Sequence, residues 1–97
     1  MLTFERCYTK SPDFIPRTIA GERLLVPLRR VQGQPDALYV LNAVGGFIWD
    51  QLVDHQPVAL VRDRVIEAFD VTPEQAAQDL TALLEQLETI GAIRPVA

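Results

Sequence analysis

The chain carries one histidine, one cysteine and thirteen carboxylates among its 97 residues. These are the side chains that could do nucleophilic, acid–base or metal chemistry. A nucleophile needs a base within hydrogen-bond reach, and the base needs a group to orient it. His55 sits in Asp54-His55-Gln56, a stretch that interrupts helical patterning. No Ser/His/Asp or Cys/His set with supporting spacing can be built around it, so it reads as a solvated loop residue. Cys7 has no CxxC partner and forms neither a metal site nor an internal disulfide. The helical acids read as solvated faces. Gly45-Gly46 lacks the lysine and the flanking spacing of a phosphate loop. The expectation is therefore no enzyme, no cofactor and no metal. What remains is main-chain chemistry. Ala37-Leu38-Tyr39-Val40-Leu41 is an apolar strand, and a strand with a free edge offers unpaired N–H and C=O groups to another chain.

The rest of the chain supplies the elements that would hold this strand. Residues 1–16 read as an irregular arm, with Pro12 and Pro16 bracketing Asp13-Phe14-Ile15. Arg17 to Ala20 is a first short strand, Gly21-Glu22 a turn, and Arg23 to Leu28 a second strand that Pro27 places near an edge or an end. Arg29 to Asp36 is a loop, and Ala37 to Leu41 is the third and most apolar strand. Short strands separated by turn-length segments predict an antiparallel meander. Asn42 is placed to cap a helix carrying Val44, Phe47, Ile48 and Leu52 at helical spacing, together with Trp49, which reads as core. Gly45 and Gly46 cost about 1 kcal/mol each relative to Ala. They indicate either close backbone packing or a frayed first turn. Pro57 suits the start of a second helix, striped by Val58, Val61, Val65 and Phe69. Thr72-Pro73-Glu74-Gln75 has the capping-box pattern for a third helix running to about Ile90, with Gly91 as its stop and Ala92 to Ala97 as an extended tail. The order is β-β-β-α-α-α: a single α+β domain over residues 1–97, winged-helix-like, with three helices covering one face of a three-stranded antiparallel sheet.

The last helix is broadly apolar. At about 100° per residue, its apolar positions span about 140°, against the roughly 100° that packing against a core requires. Either the whole arc is core, or one edge, Ala76, Leu83 and Ile90, lines a groove with Asp79 and Gln86 beside it.

Composition narrows the class. A hydrophobic fraction of 48% is globular. No apolar run approaches the roughly 18 residues of a membrane span, and residues 1–10 lack the apolar stretch of a signal peptide. With a lone cysteine, these features predict a reducing cytoplasm and no membrane partner. Net charge is −4, with residues 1–35 at +3 and residues 36–97 at −7. That asymmetry suits either steering of a charged partner or two ordinary solvated faces. Residues 73–90 contain Glu74, Asp79, Glu85 and Glu88 and no Lys or Arg. Such a helix repels phosphate, and Arg29 and Arg30 alone supply little counterion release, so nucleic acid is not an expected partner.

The segment Leu38-Tyr39-Val40-Leu41-Asn42-Ala43-Val44-Gly45-Gly46-Phe47-Ile48-Trp49 resembles the LN-x-x-G-x-x-IW signature of the PqqD-like family. Downstream, Phe69-Asp70-Val71, Asp79-Leu80, Leu83-Leu84, Leu87 and Gly91-Ala92-Ile93 resemble that family's final helix and its exit. The resemblance covers roughly residues 17–94. It implies a winged-helix-like peptide-recognition element that binds the leader segment of a ribosomally made precursor peptide. Such elements present the leader to a modifying enzyme such as a radical-SAM protein, a cyclase or a leader peptidase. The leader adds as a strand to the third strand, beside the last helix. Carried over, this implicates Leu38, Tyr39, Val40, Leu41, Ala76, Asp79, Leu80 and Leu83. On physical grounds, the acids flanking the groove, notably Asp79, can pair with Lys or Arg of such a peptide. The chain departs from the pattern at His55, where the family has Gly, and at Pro57, where it has Ser or Thr. The run Arg23 to Leu28 resembles the general branch of the family more than the pyrroloquinoline quinone branch. A homodimerising or adaptor module using the same strand edge is the alternative reading.

Overall fold

The computed structural model describes residues 5–28, 39–53 and 56–96. In chain order these form β1 (Cys7–Lys10), β2 (Phe14–Ile19), β3 (Glu22–Pro27), β4 (Tyr39–Leu41), α1 (Ala43–Gln51), α2 (Val58–Phe69), α3 (Pro73–Thr89) and β5 (Ile93–Val96). Strands β2, β3 and β4 make a three-stranded antiparallel sheet in that order, and the three helices follow it. The α+β reading therefore holds. No helix among the described residues is long and apolar enough to cross a membrane.

Local chemistry explains most of these elements. Ala20 and Gly21, both at positive φ, turn β2 into β3. The Asn42 side chain accepts the Gly45 N–H at 2.7 Å, which satisfies an orphan donor of α1 and ends β4. Pro57 caps α2 without a side-chain bond. Thr72 accepts the Gln75 N–H at 3.1 Å at the start of α3. The reciprocal half of the capping box is absent, because the Gln75 amide donates to Asp79 instead. Gly91, at φ 82°, releases the chain from α3.

The core forms where the helices meet the inner sheet face. Leu25 and Leu41 come from the sheet, and Ile48, Trp49 and Leu52 from α1. Val58, Val61 and Val65 are fully buried on α2, as their spacing predicts. Phe69 is half-buried and meets Phe47 edge-on, with ring centroids 5.3 Å apart. The glycine pair belongs to this packing. A Cβ on Gly45 would lie 3.1 Å from the Asn42 carboxamide oxygen, and one on Gly46 would lie 3.4 Å from the Arg23 side chain.

The N-terminal arm departs from expectation, and the C-terminal tail is extended as expected but pairs with it. Cys7–Lys10 is a strand, and the tail Ile93–Val96 is its antiparallel partner, with Cys7 opposite Val96 and Lys10 opposite Ile93. The Ser11 N–H extends this ladder to the Ala92 carbonyl, and the Val58 N–H bonds the Arg6 carbonyl on the other side. Tyr8 is buried, and the Lys10 ammonium lies 4.9 Å from the Trp49 ring centroid. Neither four-residue strand has a local signal, since each exists through pairing with the opposite end of the chain. β2 likewise begins at Phe14, three residues before the expected start, because Pro27 and Val26 of β3 are there to pair with it.

Candidate functional site

β4 lies at an end of its sheet, and the hydrogen-bond alternation shows which of its groups face outward. The Leu28 N–H donates to the Asp13 carbonyl at 2.7 Å, in the same register as β2 and β3. In an antiparallel ladder, hydrogen-bonded and non-bonded pairs alternate. Leu24 and Val26 therefore aim their polar groups at β2, whereas Arg23 and Leu25 aim theirs at β4. Arg23 opposes Leu41, Leu25 opposes Tyr39, and Leu24 opposes Val40. It follows that the Val40 N–H and C=O point away from β3, toward the edge that no described strand covers. The Val40 side chain is 56% exposed on the outer sheet face.

Beside this edge, a cleft of about 340 Å³ runs between β4, the start of α1 and α3. Tyr39 and Asn42 form one wall, Val44 and Ile48 contribute apolar surface, and Asp79, Leu83 and Gln86 line the α3 side. The Tyr39 hydroxyl donates to the Gln86 side-chain oxygen at 3.3 Å, linking β4 to α3. One Asp79 carboxylate oxygen accepts from the Gln75 amide at 2.9 Å. A second depression adjoins the cleft, sharing Tyr39, Asn42, Gly45 and Leu83. It extends to Arg23, which pairs with Asp50.

The residues singled out from sequence divide accordingly. Tyr39, Asp79 and Leu83 line the cleft, and Val40 sits on the open edge. Leu41 is buried, but it lines the adjoining depression. Leu38 lies outside the described residues, as do Arg29, Arg30 and His55. Ala76 and Leu80 are completely buried and line neither depression. The wide arc of α3 thus splits along its length. Ala76 packs inward, Leu83 faces the cleft, and Ile90 is exposed by a separate hollow beyond Gln86. An angle around a helix gives a direction, while burial depends on what lies in that direction at each turn. Ala82 is a lining residue that the sequence did not single out, whereas Gln86 lines the cleft beside Asp79, where the helical angles placed it. Gln86 lies seven residues after Asp79 and hence on the same helical face.

Among the described residues, no group of three or more His, Cys, Asp or Glu side chains could hold a metal ion. The arrangement offers an unpaired main-chain edge, an apolar floor and one carboxylate. Such an arrangement has the groups needed to hold an extended chain.

Comparison with known proteins fits this geometry. The family model described as "Coenzyme PQQ synthesis protein D (PqqD)" matches residues 22–93. Among solved structures, TbiB1 in complex with the TbiA(beta) leader peptide superposes with a TM-score of 0.71 at 23% identity, covering 91% of this chain and 96% of that one. That likeness establishes a shared fold. No curated protein gives a significant match.

Proposed function

The chain belongs to the PqqD family, and from that premise we propose that it is a non-catalytic recognition element. It captures the leader segment of a ribosomally made precursor peptide by strand addition to β4 beside α3. It then delivers that leader to a modifying enzyme. The observation that carries this reading is the Val40 N–H and C=O directed to an open edge next to the Tyr39–Leu83 cleft. An incoming extended segment gains main-chain hydrogen bonds from the edge and side-chain selection from the cleft. The leader-peptide complex of TbiB1, a protein of the same fold, supports the assignment of a peptide ligand. Within the family, the chain fits the general branch better than the pyrroloquinoline quinone branch, by the character of Arg23 to Leu28.

The test is an NMR titration with a synthetic leader taken from a precursor frame encoded nearby. Amide shifts should concentrate in residues 39–42 and 79–87. Shifts confined to the Arg29–Arg30 segment would sink the site assignment. In the same assay, Val40→Pro should weaken binding more than Trp49→Phe does. The proline removes an N–H that the fold itself does not use, whereas Trp49 lies in the core. Equal losses in folded variants would argue against strand addition. A dimer by size-exclusion mass measurement that the leader cannot dissociate would favour self-pairing of the edge.

A further inference from the structure

Leader capture through β4 leaves open which leaders are accepted, and the α3 wall of the cleft bears on this. We propose that the cleft selects segments with an apolar residue and a Lys or Arg two positions apart, the apolar side chain seated against Leu83 and the cation against Asp79. This inference rests on the strand-addition reading. In an added strand, side chains at i and i+2 share a face and lie about 6.7 Å apart. On α3, Asp79 and Leu83 are four residues apart, on one face, with an axial rise of about 6 Å. The two spacings match, so a strand laid along α3 brings consecutive inward-facing side chains to these two positions in turn.

The chemistry at each position differs. Leu83 is half-buried and lies with Val44 and Ile48 along the cleft, an apolar seat. Asp79 is the one charged side chain among the described residues lining that cleft. Its neighbours there are Tyr39, Asn42, Ala82 and Gln86, all uncharged. It accepts a hydrogen bond from the uncharged Gln75 amide, which orients the carboxylate without neutralising it, and no basic side chain among the described residues lines the cleft. Glu74, Glu85 and Glu88 share α3, which carries no Lys or Arg, so the local field favours a cation and disfavours an acid. Partial burial of Asp79 makes the contact stronger than a fully exposed pair.

The experiment is selection of a displayed random-sequence peptide library on the folded protein and on its Asp79→Asn, Asp79→Lys and Val40→Pro variants. Wild type should enrich apolar–x–Lys/Arg in either chain direction. Asp79→Asn should lose the basic preference, and Asp79→Lys should replace it with Asp or Glu. For an enriched peptide, exchanging its basic residue for Glu should weaken binding to wild type about tenfold. Recovery of the same peptides on wild type and Asp79→Lys overturns the charge selection. Capture at the edge then still stands if Val40→Pro loses those peptides. Enrichment on none of the proteins overturns both the selection and the capture.

Discussion

At the residue scale, Asn42 links the edge strand to the first helix, and its cap has a measurable worth. Asn42→Ala should lose about 1 kcal/mol in urea denaturation, the usual cost of an N-cap. A Cβ on Gly45 would crowd the capping oxygen at 3.1 Å. Gly45→Ala should therefore be better tolerated in the Asn42→Ala background than in wild type, and a double-mutant cycle measures that coupling. The sequence showed this cap but left the glycines ambiguous, because close approach is a property of two backbones. Tyr8 was silent in sequence and has a pH signature. Its hydroxyl pKa is raised above 10.0, first by burial and further by Glu88, with Arg6 opposing. The folded state thus holds this proton longer than the unfolded chain does. The corresponding stability is complete below pH 10.0 and is lost as pH rises from there through the raised value. Alkaline denaturation of Tyr8→Phe should show a shallower decline than wild type.

At the element scale, α3 serves two surfaces, and neighbouring leucines should separate them. Leu80 is fully buried, so Leu80→Ala should cost about 2–5 kcal/mol. Leu83 is half-buried on the cleft wall, so Leu83→Ala should cost less stability in the same denaturation experiment. It should nonetheless weaken peptide binding by calorimetric titration. Helical spacing identified both as apolar and left open whether the edge bearing Leu83 was core or groove, because that depends on what stands opposite it. The α2 stripe was legible since Val58, Val61 and Val65 all face the one core. β4 was legible as a strand, but its open side was not. That side follows from the register of β2 on β3, two strands away.

At the scale of the whole molecule, the two ends of the described chain close on each other through β1 and β5, a sheet separate from the one that ends in β4. Continuing the ladder from the Ser11–Ala92 bond makes Thr9 and Arg94 a hydrogen-bonded pair. Thr9→Pro should therefore remove a bond and lower stability by about 1–3 kcal/mol. Thermal unfolding followed by Trp49 fluorescence reads this directly, since Trp49 lies in the core beneath Lys10. By itself the sequence determined the strand–cap–helix junction at Asn42, the second and third helices, and the acidic character of α3. Those features depend on caps, periodicity and charge within a few residues. Only the tertiary structure decided that residues 7–10 are a strand, that Ala76 and Leu80 are core while Leu83 faces a cleft, and that Val40 presents its main chain outward. Each of these depends on which distant segment lies alongside, and neither backbone propensity nor side-chain pattern at the position encodes that.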